Sequence, residues 1–165
     1  MNAEWKTKWL EALRGDEYEQ AVGTLHRSVA TEGRGAGYCC LGVLCDIYHK
    51  EYPDHLTVTN VDNFQTTYAE TEDFIDSVDI DRENTDAETT ELPRGLAQFM
   101  ELSVSGQLDM DKVYEFLTDH PDYPHVNRIR TNMEDQEIRT LCLIDFNDEW
   151  DWNFKQIADL VEFAL

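Results

Sequence analysis

Apolar residues recur at helical spacing along several segments of the chain, and two of these segments are especially clear. Over residues 3–14, Trp5 and Trp9 share one face of a helix, and Asn2 stands where an N-cap residue is expected. The segment Cys39–Lys50 is apolar almost all round a helix, which is typical of a helix enclosed by the rest of the fold. The pattern therefore predicts Cys39–Lys50 as the central helix.

Two β-branched or aromatic runs predict a β-hairpin. Residues 57–61 and 64–68 flank Asp62-Asn63, a pair that tolerates the left-handed backbone of a tight turn. Residues 21–30 have weaker strand character. An acidic stretch over 70–91 follows the hairpin, and we expect a loop there with one helical turn around Phe74.

The second half of the chain is predicted to be helical, with proline and cap residues setting the boundaries. Pro93 is expected to open a helix that turns Leu96, Phe99 and Met100 inward. Further helices are predicted over 111–120, over 134–145 and from Asn153 onward, where Gln156 completes a capping box; 121–132 is predicted as loop and Asn147-Asp148 as a turn.

These elements together predict the fold class. The chain has 165 residues, of which 41% are hydrophobic, and this suffices for one domain with a real core. We expect a single α+β domain over residues 1–165, mainly helical. Six or seven helices would surround Cys39–Lys50, beside one small hairpin.

Four segments also occur in a recognisable order. They are WKTKWLEALRGDEYEQAVGTLH, GYCCLGVLCDIYHKEY, LPRGLAQFMEL and LCLIDFNDEWDWNFKQIADLVE. Their order resembles that of a group of small proteins from tailed-phage genomes and some bacteria, in which YCCLGVLC is the most specific part. This chain departs from the group in DFND, where LND is usual, and in the acidic insertion around 70–91. The resemblance implies an intracellular, phage-encoded protein and transfers no catalytic residue.

Charge is distributed unevenly. The formal net charge is −22, with −1 over residues 1–50, −11 over 51–100 and −10 over 101–165. A compact chain of this length is about 40 Å wide, and about 40 Å of duplex DNA carries roughly 23 charges. An acidic surface of this density disfavours direct binding of nucleic acid or of an anionic membrane, and it would suit a DNA mimic if the acids share one face.

The charge leads to a non-enzymatic function as the first hypothesis. We expect a small acidic phage-type protein that binds a host protein with a basic or nucleic-acid-binding surface and inhibits or redirects it. Aromatic anchors ringed by acids would supply binding energy while the acids steer approach. The candidate partner-binding residues are Glu70, Glu72, Asp73, Asp76, Asp79, Asp81, Glu83, Trp150 and Trp152. The two tryptophans alternatively cap the core.

Two other functions stay open. HRSV from His26 and HLTV from His55 match the H-x-[S/T]-apolar pattern of two-histidine phosphoesterases, so a small hydrolase is one alternative. Cys45 and His49, four residues apart, form a second candidate pair for such an enzyme and a partial metal site. The other alternative is an accessory phage protein whose acidity only provides solubility.

Several common sites have no signature in the sequence. No CxxC, P-loop, GxGxxG or GxSxG occurs, and no run of 18 apolar residues indicates a transmembrane helix. We expect reduced cysteines, no metal, no cofactor, and a location in the cytoplasm, that of the host if the protein is phage-encoded. The sequence does not give the oligomeric state.

Overall fold

The computed structural model describes residues 1–28, 36–61, 65–78, 90–135 and 137–165. Within these ranges the chain forms eight helices and one four-stranded antiparallel sheet. The predicted class, an α+β fold that is mainly helical, is confirmed. Besides the central helix Cys40–Glu51, seven helices agree with the six or seven expected around it. One continuous hydrophobic core draws side chains from the first helix to the last.

The first helix begins as the sequence predicts. Helix α1 spans Ala3–Arg14, and the Asn2 side chain accepts hydrogen bonds from two backbone N–H groups of its first turn. Trp5 and Trp9 are buried, and the Trp9 indole donates to the Cys40 carbonyl at 2.9 Å. This hydrogen bond ties α1 to the second helix.

Helix α2 is the centre of the core, as predicted. It spans Cys40–Glu51, one residue later than expected at each end, because Cys39 serves as its N-cap residue. All its residues from Cys40 to Cys45 are buried, and so is Tyr48. Gly42 lies against the backbone of Leu25, where an added Cβ atom would come within 1.6 Å of the carbonyl oxygen.

The sheet is larger than the predicted hairpin. Strands β3 (Leu56–Val61) and β4 (Gln65–Glu70) form that hairpin, whose turn at Asp62-Asn63 lies outside the described residues. Two short strands extend it, β1 (His26–Arg27) and β2 (Gly37–Tyr38), in the order β2-β1-β4-β3. Strand β1 falls within residues 21–30, for which the sequence indicates weak strand character, whereas the two residues of β2 are too few to form a periodic pattern.

Three helices follow the sheet. They are α3 (Glu72–Val78), α4 (Arg94–Met100) and α5 (Met110–Asp119). Pro93 is the N-cap residue of α4, and Leu96 and Met100 are buried as expected. The structure corrects the prediction for Phe99, whose side chain is 36% exposed instead of buried in the core. Helix α5 begins one residue early because Asp109 caps it.

The predicted loop at 121–132 and the predicted helix at 134–145 are both wrong. Helix α6 spans Val126–Glu134, starting directly after the prolines. Residues 137–142 then form no helix, and Cys142 makes a β-bridge with Gln107. Helix α7 occupies Leu143–Asp148 instead, so Asn147-Asp148 is its last turn rather than a separate turn.

The chain ends in helix α8, Phe154–Ala164, with the predicted capping box between Asn153 and Gln156. Helix α8 packs against α1, where Arg14 donates to Asp159 at 2.8 Å. The buried Asn147 side chain holds the loop before β1 by donating to the Ala21 carbonyl at 2.9 Å. In the described part of the chain, no helix has the length and apolar character needed to cross a membrane.

Candidate functional site

Three of the predicted acidic residues lie on α3. Glu72, Asp73 and Asp76 are exposed, while Phe74 and Ile75 on the other side of the helix are buried. The amphipathic pattern therefore presents carboxylates to solvent. Asp79, Asp81 and Glu83, which belong to the same prediction, lie outside the described residues.

Glu70 has a structural role that the sequence did not indicate. Its side chain accepts a hydrogen bond from the Leu96 backbone N–H at 2.7 Å, so it caps the first turn of α4. Burial raises the pKa of this carboxyl, and its hydrogen bonds to the α4 backbone partly offset that effect. Glu70 is therefore engaged inside the protein rather than presented to a partner.

Five aromatic rings meet where the end of α2, the start of β3, α3 and α4 come together. His55 stacks on Tyr52 and Phe74, with ring centroids 5.0 and 4.9 Å apart. Phe99 lies 5.7 Å from Tyr48 and 6.3 Å from Phe74. Aromatic pairs at these separations attract one another beyond their burial alone, so each ring position is fixed by its neighbours.

Two of these rings reach solvent, and exposed acidic residues directly precede two other members of the cluster in the sequence, Asp54 before His55 and Asp73 before Phe74. Tyr52 is 37% exposed and Phe99 is 36% exposed. Thr71 brings the loop after α2 next to α3, because its hydroxyl donates to the Asp54 carbonyl at 2.8 Å and its N–H to the His55 carbonyl at 3.0 Å. We call the resulting patch the aromatic–acidic surface; it consists of Tyr52, His55, Phe99, Asp54, Glu72 and Asp73.

The two histidines of the phosphoesterase hypothesis lie apart. His26 pairs with Thr66 of β4, whereas the His55 carbonyl accepts from Thr71, five residues further along. Five residues of strand span about 16 Å. His26 stacks on Tyr38 at 4.0 Å, and His55 Nδ1 hydrogen-bonds the Tyr48 hydroxyl at 2.8 Å. The structure does not bring the two imidazoles together at one phosphate-sized site.

Three of the four cysteines, Cys39, Cys40 and Cys45, are core residues, and Cys142 is half-buried. All four are free, and Cys45 is completely buried, which raises the pKa of its thiol well above the usual value. A thiolate is the form that binds metal or attacks a substrate, so burial disfavours both roles for the Cys45–His49 pair. Among the described residues, no group of three metal-ligating side chains converges.

The structure corrects the prediction that Trp150 and Trp152 are exposed anchors. Trp152 is completely buried and donates its indole N–H to the Pro124 carbonyl at 2.8 Å. Trp150 is only 8% exposed, with Arg128 above its ring. Both residues cap the core between α7 and α8, which is the alternative the sequence left open. Neither presents a ring to a partner.

A separate polar network joins the first two of the four sequence segments that carry the resemblance. Asp46 of α2 accepts from the Tyr18 hydroxyl at 2.7 Å and pairs with Lys50 at 3.0 Å. Burial raises the pKa of Tyr38, whose hydroxyl also faces Asp46, to about 12. Each group has a partner within the protein, so this network stabilises the packing of α2 against the loop after α1.

One known protein family matches the whole chain. The model of DUF8296, a domain of unknown function, matches residues 1–165. The chain belongs to the DUF8296 family. No curated protein and no solved structure matches it. In this DUF8296 chain, the aromatic–acidic surface combines the two residue types that the sequence predicts for partner binding, aromatic rings and carboxylates.

Proposed function

We propose that this DUF8296 protein is a non-enzymatic binding protein that attaches to a basic surface of another protein and blocks or redirects it. The observation that carries the proposal is the aromatic–acidic surface, in which two exposed rings belong to a cluster whose flanking residues in the loop after α2 and in α3 are exposed acids. The resemblance to small phage proteins supports a host protein as the class of partner. The partner's basic surface would be one that otherwise contacts nucleic acid.

The rings can provide binding energy at low entropic cost. Tyr52 and Phe99 are held by stacking and edge contacts with His55, Phe74 and Tyr48, so little side-chain freedom remains to be lost on binding. Aromatic residues dominate the energetics of interface centres when they are enclosed by a polar rim. Asp54, Glu72 and Asp73 provide such a rim here.

The net charge would act at longer range. A charge of −22 accelerates the approach of a basic protein, and this effect is screened beyond about 10 Å at 0.1 M salt. Association should therefore slow steeply as salt is added. Competition by duplex DNA would support the DNA-mimic form of the proposal, because both would occupy the same basic surface.

The proposal is tested by affinity capture from a host lysate with matched variants of the protein. Tyr52→Ala combined with Phe99→Ala should abolish capture of the partner. Phe163→Ala is the control, because Phe163 is equally exposed, at 41%, but lies on α8. Equal capture by all three proteins would contradict the proposal, as would a complex whose affinity is the same at low and high salt.

Charge reversal separates this proposal from acidity that serves solubility alone. Glu72→Lys with Asp73→Lys should weaken capture at least tenfold. Asp16→Lys with Glu19→Lys changes the net charge equally at exposed positions near the end of α1 and is the control. If both pairs leave capture and biological activity unchanged, the accessory-protein alternative is favoured. Activity lost on replacing His26 by alanine in a folded protein would favour the hydrolase alternative, whereas loss in His55→Ala would not discriminate, because His55 also holds Tyr52 in the aromatic–acidic surface.

A further inference from the structure

A cleft lies elsewhere, between α5 and α6. It has a volume of about 630 Å³ and is lined by Met110, Asp111, Tyr114, Met133, Glu134, Ile138 and Arg139. Clefts of roughly 300–1,000 Å³ are typical of ligand sites. We call this cleft the α5–α6 groove. It shares no residue with the aromatic–acidic surface.

The groove is formed by two antiparallel helices and the segment that follows them. The loop 120–125 connects the end of α5 to the start of α6, so the first turn of α5 lies beside the last turn of α6. Tyr114 fixes this arrangement, since its hydroxyl donates to Glu134 at 2.6 Å and Arg130 lies over its ring. The walls are therefore positioned by regular secondary structure.

The floor of the groove is apolar and adaptable. Met110, Met133 and Ile138 are half-buried and pack against the core from one side only. Methionine side chains are flexible and polarisable, and they recur at surfaces that accept amphipathic helices.

The rim of the groove determines which helix would fit. Asp111 and Glu134 stand on opposite walls, and Arg139 is the one basic residue of the lining. Among the exposed charged residues next to the lining in the sequence, Asp109, Glu115, Asp135 and Glu137 are acidic and Lys112 is basic. A helix with an apolar face flanked by lysine or arginine would satisfy both the floor and the rim.

We propose that the α5–α6 groove binds a basic amphipathic helix of a partner protein, with apolar side chains on the methionine floor and basic side chains against Asp111 and Glu134. This inference does not depend on the proposed function of the aromatic–acidic surface. It assigns a second contact of different geometry, in which a helix enters a groove instead of a folded basic surface covering exposed rings.

The experiment uses the full chain and two dye-labelled peptides, each with 15 residues that are all lysine or leucine. One peptide places its leucines at helical spacing, and the other has the same composition in an order that forms no apolar face. Fluorescence anisotropy should show at least tenfold tighter binding of the amphipathic peptide, whose helix content should rise on binding by circular dichroism. Equal affinity for the two peptides would overturn the proposal, because charge alone would explain binding.

Variants locate the binding site. Met133→Lys should weaken binding of the amphipathic peptide at least tenfold, and Glu134→Lys at least threefold. Glu19→Lys makes the same charge change at an exposed position outside both the groove and the aromatic–acidic surface, and it should alter the affinity less than twofold. The proposal is overturned if Glu19→Lys weakens binding as much as Glu134→Lys does, or if Met133→Lys binds as tightly as the unmodified protein.

Two further measurements cover folding and self-association. If Met133→Lys does not fold, Met110→Gln takes its place, because Met110 is only the first residue of α5 and is half-buried. It should weaken binding at least threefold, and unchanged affinity would overturn the proposal. Light scattering of the free protein should give the same mass for every folded variant. A mass that falls only in the groove variants would identify a second copy of the chain as the occupant instead.

Discussion

Replacing Gly42 by alanine would place a methyl group inside the backbone of a neighbouring segment. The added Cβ atom would lie 1.6 Å from the Leu25 carbonyl oxygen and 2.5 Å from its carbonyl carbon. Carbon atoms in contact need about 3.5 Å, so α2 and the Leu25 backbone would have to separate by well over an ångström. The same carbonyl accepts a hydrogen bond from the Cys39 N–H at 3.1 Å, and this bond would be lost.

The magnitude follows from three contributions. Alanine is favoured over glycine inside a helix by about 1 kcal/mol. Overpacking of a core costs about 1–3 kcal/mol or more, and loss of a buried hydrogen bond costs about 1–3 kcal/mol. We therefore expect Gly42→Ala to lower the free energy of unfolding by about 2–4 kcal/mol, against a typical total of about 5–15 kcal/mol.

Urea denaturation followed by circular dichroism measures this change. With a slope of about 1–3 kcal/mol per molar urea, the midpoint should fall by about 1–2 M. Gly23→Ala is the control, because its Cβ would meet nothing within 4 Å and only the positive φ of +75° penalises it, by about 1 kcal/mol. A Gly42→Ala protein as stable as the unmodified chain would refute the close approach of α2 to Leu25.

Three further predictions concern stability. Glu70→Gln should leave the melting temperature unchanged or raise it, because the amide oxygen still caps Leu96 without a buried charge, whereas Glu70→Ala should cost about 1 kcal/mol. Burial lowers the pKa of His26 below its usual value of about 6.5. The neutral imidazole therefore contributes its full stabilisation above about pH 6.5, and this stabilisation is lost as the pH falls below that value. His26→Phe should reduce the loss of stability that denaturation series measure between pH 7 and pH 5. Asn147→Ala leaves the Ala21 carbonyl unpaired and should cost about 1–3 kcal/mol by thermal unfolding.

Local signals predicted the parts of the fold that local chemistry determines. Helices α1, α2 and α8 have their caps and apolar faces in the sequence, and Asn2 and Asn153 cap as expected. The predicted helix at 134–145 failed because tertiary pairing overrides its periodicity. Leu141 is buried there, but the Leu108 N–H donates to its carbonyl, and this pairing holds the segment extended.

Helix α6 was missed for a different reason. Pro121 and Pro124 indicate a loop over the whole segment, yet Val126 and Ile129 have helical spacing and are buried. His125 makes the abrupt start possible by adopting a positive φ of 59°. Such a left-handed residue before a helix has no reliable signature unless it is glycine.

The partner-binding site stays a prediction, but the structure changes which aromatic residues are candidates for it. Trp150 and Trp152 were the natural anchors by size, yet size also makes them valuable in the core, where both lie. Tyr52 and Phe99 replace them at the surface. Tyr52 directly precedes Pro53, where α2 has ended, and this position outside the helix is the signal that could have indicated exposure.

The contact between α1 and α8 also constrains when the core can be completed during synthesis. Arg14 and Asp159, which pair across this contact, are 145 residues apart. At about 5–20 residues per second, translation of that interval takes roughly 7–30 s. During this time the α1 face that carries Trp9 has no α8 to pack against. A nascent chain in this condition leaves the part of α1 that α8 later covers open to chaperones that bind apolar segments.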